Sequence, residues 1–513
     1  MPLFLFLLTV ISRLPFTSKY LYHMDSGHFA LALQNYDLVL HQPHPPGYFL
    51  YIVLGKLLYP FASDANTTFI LISIVFSGLT VAAIYQLGKE LFDAKIGTIA
   101  ALLAMTSPIF WFHGEVALSY TVEAFFSVFI GLLCWKMYQG KSEYLWPSIS
   151  ILALAGGFRQ SSVLFLFPLW IFSARKESLH RIIAGLALGA AVMLSWLIPM
   201  VIMTGGPEKY IGAFEELWLF STGHNSVYER GLPQFLFFLR ILCTFIFFSL
   251  GAALPFLLLA GYILVRSRKT ALLKSTKSSF LAIWILPSIL FHLLIFIHPA
   301  NPGYVLILLP PLLIVSSLAL RFLNSEISTI VGKGFHRLTI LFVLLINTSA
   351  FLFYPLLASR EEIKNHDQGI SAIIKGLSTF KPNTTVLFIG PYSFYSYRHL
   401  MLYLPQFTVY QVDVRTSPTG QKRKLFGGAH GTSFTTDQII VSKDIKSFAA
   451  VAAVDHKVIP EISSNLSIVK VTNDFVIISG HIEFLTLLYP ELKPYIKIVS
   501  TEKKGNAEKS PSN

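Results

Sequence analysis

Asp25 follows the first apolar run of the chain and sits in Tyr22-His23-Met24-Asp25-Ser26-Gly27-His28, a stretch that leads on to Leu40-His41-Gln42-Pro43-His44-Pro45-Pro46-Gly47-Tyr48. A carboxylate at such a place can take a proton from a hydroxyl group. Two prolines and a glycine make the His-Pro-Pro-Gly-Tyr segment a sharp, fixed turn. Further along come Trp111-Phe112-His113-Gly114-Glu115, then Tyr120 and Glu123; eight positions apart, Glu115 and Glu123 would share a face of a continuous helix. Gly157-Phe158-Arg159-Gln160 separates two short apolar runs, and an arginine fork matches phosphate oxygens. His298-Pro299-Ala300-Asn301-Pro302-Gly303-Tyr304 completes the polar set. Grouped histidines can bind zinc, but no His-x-x-x-His pair stands on a clear helix, so neither a metal nor another cofactor is expected.

The elements that carry these residues are membrane helices. Of 513 residues, 54% are hydrophobic and 13% charged, with a mean hydropathy of +0.61; a soluble domain carries about 25% charged residues. Apolar runs lie near 68–87, 96–112, 118–138, 183–203, 240–265, 280–297, 303–320 and 339–356. Shorter runs at 3–14, 146–158 and 161–173 bring the expected number of spans to about eleven. With the N-terminus in the cytoplasm, Lys and Arg gather in every second loop, and the excess of basic over acidic groups never changes side. This pattern explains the net charge of +13 without any nucleic-acid partner. It also sets the Asp25, Glu115, Arg159 and His298 segments on the outer side, with Phe49–Phe61 as a helix lying along the interface. Cys134 and Cys243 fall inside apolar runs and read as packing residues.

Residues 358–500 differ in kind from residues 1–357. Their charge is ordinary, and Thr385–Ile389, Gln438–Val441 and Phe475–Ile478 read as strands beside a helix at Ile370–Leu377. An odd number of spans places this small α/β domain outside the membrane. Residues 501–513 read as a disordered tail. The Asn66 and Asn383 sequons fit outer loops.

Ionisable groups at membrane depth face a cavity or a partner. A base, a phosphate-matching arginine and an apolar groove together suit sugar transfer from a polyprenyl phosphate. Each residue also has a plainer reading: Asp25 as a helix cap, Arg159 as an anchor at the interface. Transport of a lipid-linked or anionic substrate would need cavity-facing charges too, although no internal repeat supports it. A non-catalytic scaffold that binds envelope partners is a further alternative.

Met24–His28 with His44–Tyr51 resembles the first-loop signature of the GT-C superfamily of integral membrane glycosyltransferases, in the branch related to protein O-mannosyltransferases. Gly114–Tyr120 with Glu123 is similar to a second-loop motif of bacterial members. His298–Pro311 is similar to a late motif of the lipid A aminoarabinose transferases. The likeness in architecture covers residues 1–357. It implies an all-α polytopic bundle and an inverting transfer from a polyprenyl-phosphate sugar, with the first-loop acid, here Asp25, as general base. Many members pair two acids in this loop, whereas this chain has Asp25-Ser26; Glu115 is then the expected second acid, in a metal-independent site. Arg159 would neutralise the leaving phosphate. His44, Tyr48, Tyr120, Glu123, His298 and Tyr304 would line the substrate site. The sugar and the acceptor are not specified by these motifs, and the compact loops point to a bacterial inner membrane.

Overall fold

In hydrocarbon, every backbone N–H and C=O must be satisfied within the chain, and a helix does this locally. The computed structural model of the chain follows that rule. It describes residues 1–62, 64–219, 225–267, 275–331, 335–355, 357–416, 422–427, 439–454, 466–493 and 496–499, so the tail expected at 501–513 lies outside the described residues. Two compact units divide the chain, Met1–Asn365 and His366–Asn513.

The first unit is helical: α1 (Pro2–Arg13), α2 (Met24–Gln34), α3 (Phe49–Leu58), α4 (Ala65–Leu91), α5 (Ala94–Thr106), α6 (Pro108–His113), α7 (Tyr120–Tyr138), α8 (Leu145–Phe158) and α9 (Ser161–Ala174) are followed by α10 (Leu179–Met203), α11 (Pro207–Trp218), α12 (Val227–Arg230), α13 (Leu232–Leu250), α14 (Ala253–Arg266), α15 (Thr276–Leu294), α16 (Leu309–Val331), α17 (Phe335–Phe353) and α18 (Arg360–Leu377). The division between the units falls within α18. Side chains start several of these helices: Asp64 accepts from Thr67 N–H, Asp93 from Lys95 and Ile96 N–H, and Ser178 from Arg181 N–H.

Among the described residues, five helices are long and apolar enough to cross a membrane: α4, α7, α10, α13 and α15. Shorter apolar helices accompany them, among them α1, α5, α9 and α14, and two of the expected runs are interrupted for local reasons. The run at 96–112 breaks at Ser107, whose ψ of 120° leads into Pro108. The run at 240–265 is two helices, because Gly251 adopts φ +53° and the following N–H, of Ala252, leaves the ladder to donate to Asn347 Oδ1 at 2.8 Å. A Cβ at Gly251 would collide with that same amide. Of the spanning stretches of α4 and α7, 67% and 78% are buried inside the protein, against 17% of α10. The bundle is therefore built around α4 and α7, and α10 belongs to its lipid-facing side.

Part of the first loop is helical. Asp25 and His28 lie one turn apart in α2, and the His23 ring caps that helix by accepting from Asp25 N–H at 3.2 Å. The turn before α3 has Gly47 at φ +129° and Tyr48 at φ +47°; a Cβ at Gly47 would come within 2.5 Å of Met200 Sδ. Asn66 is also not an open loop residue: it is buried in the first turn of α4 and donates to the Ser18 carbonyl at 2.9 Å.

The second unit is built on a six-stranded sheet in the order β3-β2-β1-β5-β7-β6, from β1 (Thr385–Ile389), β2 (Val409–Thr416), β3 (Lys422–Gly427), β5 (Ser447–Ala453), β6 (Ser467–Lys470) and β7 (Phe475–His481). A second pair joins β4 (Ile439–Ser442) to β8 (Ile496–Val499) in parallel. Strand β1 runs parallel to both β2 and β5, and β5 pairs antiparallel with β7. Val386 and Phe388 pack into one core, and Leu387 and Ile389 into another beneath α19 (Tyr397–Tyr403). The sheet is covered on both faces, as expected for a parallel centre.

Candidate active site

Four elements of the first unit converge on one polar cluster. The Asp25 carboxylate lies 3.5 Å from His23 Nδ1, 3.8 Å from His44 Nδ1 and 4.0 Å from His28 Nδ1. His28 and His44 face each other through their Nδ1 atoms at 3.2 Å, so one donates and the other accepts. Burial pushes the Asp25 carboxyl up, but His44, His23 and His28 together outweigh it and hold the group well below the usual carboxylate range. Burial lowers the His44 ring, with Asp25 opposing. Asp25 is therefore a carboxylate in neutral solution.

The second half of the cluster is built around a buried arginine. Arg159 occupies the corner between α8 and α9, with Nε 3.0 Å from Glu123 Oε2 on α7 and Nη1 donating to Ser119 Oγ at 3.3 Å. Ser161 Oγ holds the other oxygen of Glu123 at 2.8 Å. Three tyrosine rings enclose the guanidinium: its central carbon is 4.3 Å from the centroid of Tyr120, 5.5 Å from Tyr304 and 5.7 Å from Tyr48. Such a box favours a cation. Among the described residues the rest of the fork has no acceptor, which leaves it N–H groups for an anion.

Tyr48 joins the two halves. Its hydroxyl is 3.3 Å from His44 Nε2 while its ring faces Arg159. The loop that carries His44 and Tyr48 is held at two carbonyls: Gln160, next to Arg159, donates to Pro46 O at 2.9 Å, and Tyr36 donates to Gly47 O at 2.8 Å. The left-handed backbone at Tyr48 is an uncommon conformation for a bulky residue, fixed here by these contacts.

Of the residues singled out in the sequence, Asp25, His44, Tyr48, Tyr120, Glu123, Arg159 and Tyr304 come together. Glu115 does not join them. It is buried in a turn before α7, so the helix face it was expected to share with Glu123 does not exist. It accepts from Trp111 Nε1 at 2.9 Å and faces Arg13, whose guanidinium lies 4.4 Å above the Trp111 ring. His298 turns its Nδ1 to Ala300 N–H at 3.3 Å, and its ring neighbour is Phe296. The structure adds His23, His28, Ser119, Gln160 and Ser161, together with His113 and His292, whose rings pack on Tyr120 and Tyr304. The three-residue step from Asp25 to His28 was the one available signal, and it required recognising α2. Asp25, His28 and His44 offer ligand atoms that all lie within 4.8 Å of one another, a donor set suited to a single divalent cation.

The sequence model for dolichyl-phosphate-mannose-protein mannosyltransferases matches residues 43–203, which takes in His44, Tyr48, Tyr120, Glu123 and Arg159. No curated protein matches the chain. Two crystal structures of ArnT from Cupriavidus metallidurans share its fold. The one bound to undecaprenyl phosphate has a TM-score of 0.59 at 11% identity, over 93% of this chain and 97% of that one. The apo structure gives 0.55 at 13% identity with the same coverage. The likeness is one of fold, over nearly the whole length of both chains. An oligosaccharyltransferase from Archaeoglobus fulgidus aligns more distantly, with a TM-score of 0.44 at 14% identity over 80% of this chain and 62% of that one. In this chain a helical unit is followed by a small sheet-containing unit.

Proposed function

We propose that the protein transfers a sugar from a polyprenyl-phosphate donor to an acceptor at the outer face of the membrane, with inversion. The observation that carries this reading is the continuous line Asp25–His44–Tyr48–Arg159, a carboxylate at one end and a phosphate-matching fork at the other. The match to the mannosyltransferase model and the undecaprenyl phosphate bound in ArnT support the lipid-linked donor.

In this reading Arg159 receives the phosphate. Glu123 and Ser119 hold the guanidinium in place, and the tyrosine box fixes its plane. The acceptor oxygen attacks the anomeric carbon from the face opposite the phosphate, and the bond from that carbon to the phosphate oxygen breaks. Polyprenyl phosphate leaves with the bonding electrons, and the acceptor proton passes to Asp25. A carboxylate held this low is a weak base toward a resting hydroxyl. It becomes an adequate one late in the reaction, when the attacking oxygen has acquired positive charge. A cation held by Asp25, His28 and His44 would instead supply Lewis acidity toward the acceptor oxygen.

The test is transfer in detergent from a panel of polyprenyl-phosphate sugars by wild type and Asp25→Asn. Loss of about 10²–10⁴-fold in kcat is expected for the variant. Full turnover by Asp25→Asn removes Asp25 as base, and absence of transfer from every donor removes the reaction class.

A further inference from the structure

Tyr22 immediately precedes His23, the ring that caps α2 and stands 3.5 Å from the Asp25 carboxylate. What holds Tyr22 therefore bears on the proposed base. Tyr22 is buried, and its ring packs edge-on against Phe112 with centroids 4.9 Å apart. Its hydroxyl donates to Glu362 Oε1, 340 residues further along the chain.

Glu362 lies in the first turn of α18. Ser359-Arg360-Glu361-Glu362 has the form of a capping box, in which the glutamate accepts from the N–H of the capping serine. The serine plays its usual part: Ser359 Oγ accepts from Glu362 N–H at 3.2 Å. The glutamate oxygens reach further. Oε2 accepts from Ala358 N–H, one residue before the cap, and Oε1 accepts from Tyr22. Ala358 is buried with φ +60°, an uncommon conformation for a residue that has a Cβ. One carboxylate thus holds both the bend that enters α18 and the residue before His23.

Other contacts fasten the same stretch of chain nearer its start. The Arg360 guanidinium lies 5.2 Å from the centroid of Phe16, which packs on Trp111 and Phe351. Ser18 N–H donates to Glu115 O at 2.9 Å, and Asn66 donates to the Ser18 carbonyl at 2.9 Å. The Tyr22–Glu362 contact is the anchor next to His23. A helix start already capped by Ser359 does not require a tyrosine from so far away, so this contact serves the first loop.

We propose that Glu362 is a positioning residue for the base: through Tyr22 it sets His23, and through His23 the Asp25 carboxylate. The inference rests on the role given to Asp25 above. It ties that carboxylate to α18, within which the first unit passes into the second. Glu362 acts at one remove, and the Arg159 end of the site does not depend on it.

Tyr22→Phe removes the hydroxyl and keeps the ring on Phe112, while Glu362→Ala removes the acceptor. Glu361→Ala, in the same turn and paired with Lys364 at 3.2 Å, is the control. Transfer kinetics per folded molecule are measured with the donor that wild type uses. Hydrogen exchange of the first turn of α2 is followed by mass spectrometry. A misplacement of about 1 Å can cost about 10²-fold in rate, and a fall of about tenfold in kcat is expected for Tyr22→Phe and for Glu362→Ala. Donor KM stays unchanged. Tyr22→Phe combined with Glu362→Ala is no slower than either alone, because both remove one contact. Exchange of α2 quickens in these variants, and Glu361→Ala matches wild type throughout.

The inference is overturned if kcat is unchanged, if donor KM rises instead, or if the combined variant loses the product of the two single factors. A wild type that transfers from no donor overturns the catalytic role of Asp25. Exchange then judges the tether alone: it stands if Tyr22→Phe quickens α2 and falls if it does not.

Discussion

At the scale of single residues, the site separates carboxylates by what surrounds them. Asp25 has three imidazoles, Glu123 has an arginine and a serine, and Glu115 has a tryptophan and a second arginine. By sequence, Asp25 reads as the base, Glu115 as the second acid and Glu123 as a residue of the substrate site. Glu115→Ala removes the nearby opposite charge from the buried Arg13 and leaves the Trp111 N–H without its acceptor. Leaving a buried donor unsatisfied costs about 1–3 kcal/mol. The expected outcome is a lower Tm with kcat per folded molecule unchanged, read by thermal melts beside turnover; a loss of kcat at unchanged Tm would return Glu115 to the chemistry. Removing divalent cations distinguishes the two roles open to Asp25. If it is a free base, turnover persists after EDTA treatment. Loss of turnover that Zn²⁺ or Mn²⁺ restores, and that Asp25→Asn, His28→Ala or His44→Ala does not recover, makes it a ligand.

At the scale of elements, the turn from His41 to Tyr48 decides whether the two halves of the site meet. Gly47 is held between Met200 and Tyr36 at a backbone angle that disfavours any side chain. Gly47→Ala is expected to cost more than about 1 kcal/mol. It should shift Tyr48 off both His44 and Arg159, so kcat should fall while the helical circular dichroism stays at the wild-type level. Unchanged kcat would show that the turn does not position Tyr48 for catalysis. The turn was legible as a turn from His-Pro-Pro-Gly-Tyr. Its clamp was not, because Gln160 and Tyr36 come from segments 114 and 11 residues away from the carbonyls they hold.

At the scale of the whole molecule, charge distribution is the argument for orientation. Basic residues in alternating loops favour a cytoplasmic N-terminus and an external second unit. The break at Gly251 turns one expected span into two helices, so counting spans no longer settles on which side the chain ends. A direct measurement does. With Cys134 and Cys243 replaced by alanine, the exposed Asn383 is changed to cysteine and probed in intact cells with a membrane-impermeant maleimide. Labelling before lysis is expected; labelling only after lysis would place the second unit and the proposed acceptor side in the cytoplasm.

Composition and hydrophobic runs determined by themselves that this is a membrane helix bundle followed by a smaller unit with strands, because lipid leaves the backbone few other choices. Local sequence also marked most of the polar residues of the site, since apolar runs leave few ionisable groups to consider. Tertiary structure decided which of them meet. Arg159 finds Glu123 across 36 positions of chain, and Glu115, only eight positions before Glu123, turns to Arg13 instead. Helix ends fix those directions: Ser107-Pro108 and the turn before Tyr120 rotate one acid out of the site and the other into it. The breaks that set them are events of one or two residues inside long apolar runs, where hydrophobicity is nearly constant and only packing distinguishes one position from the next.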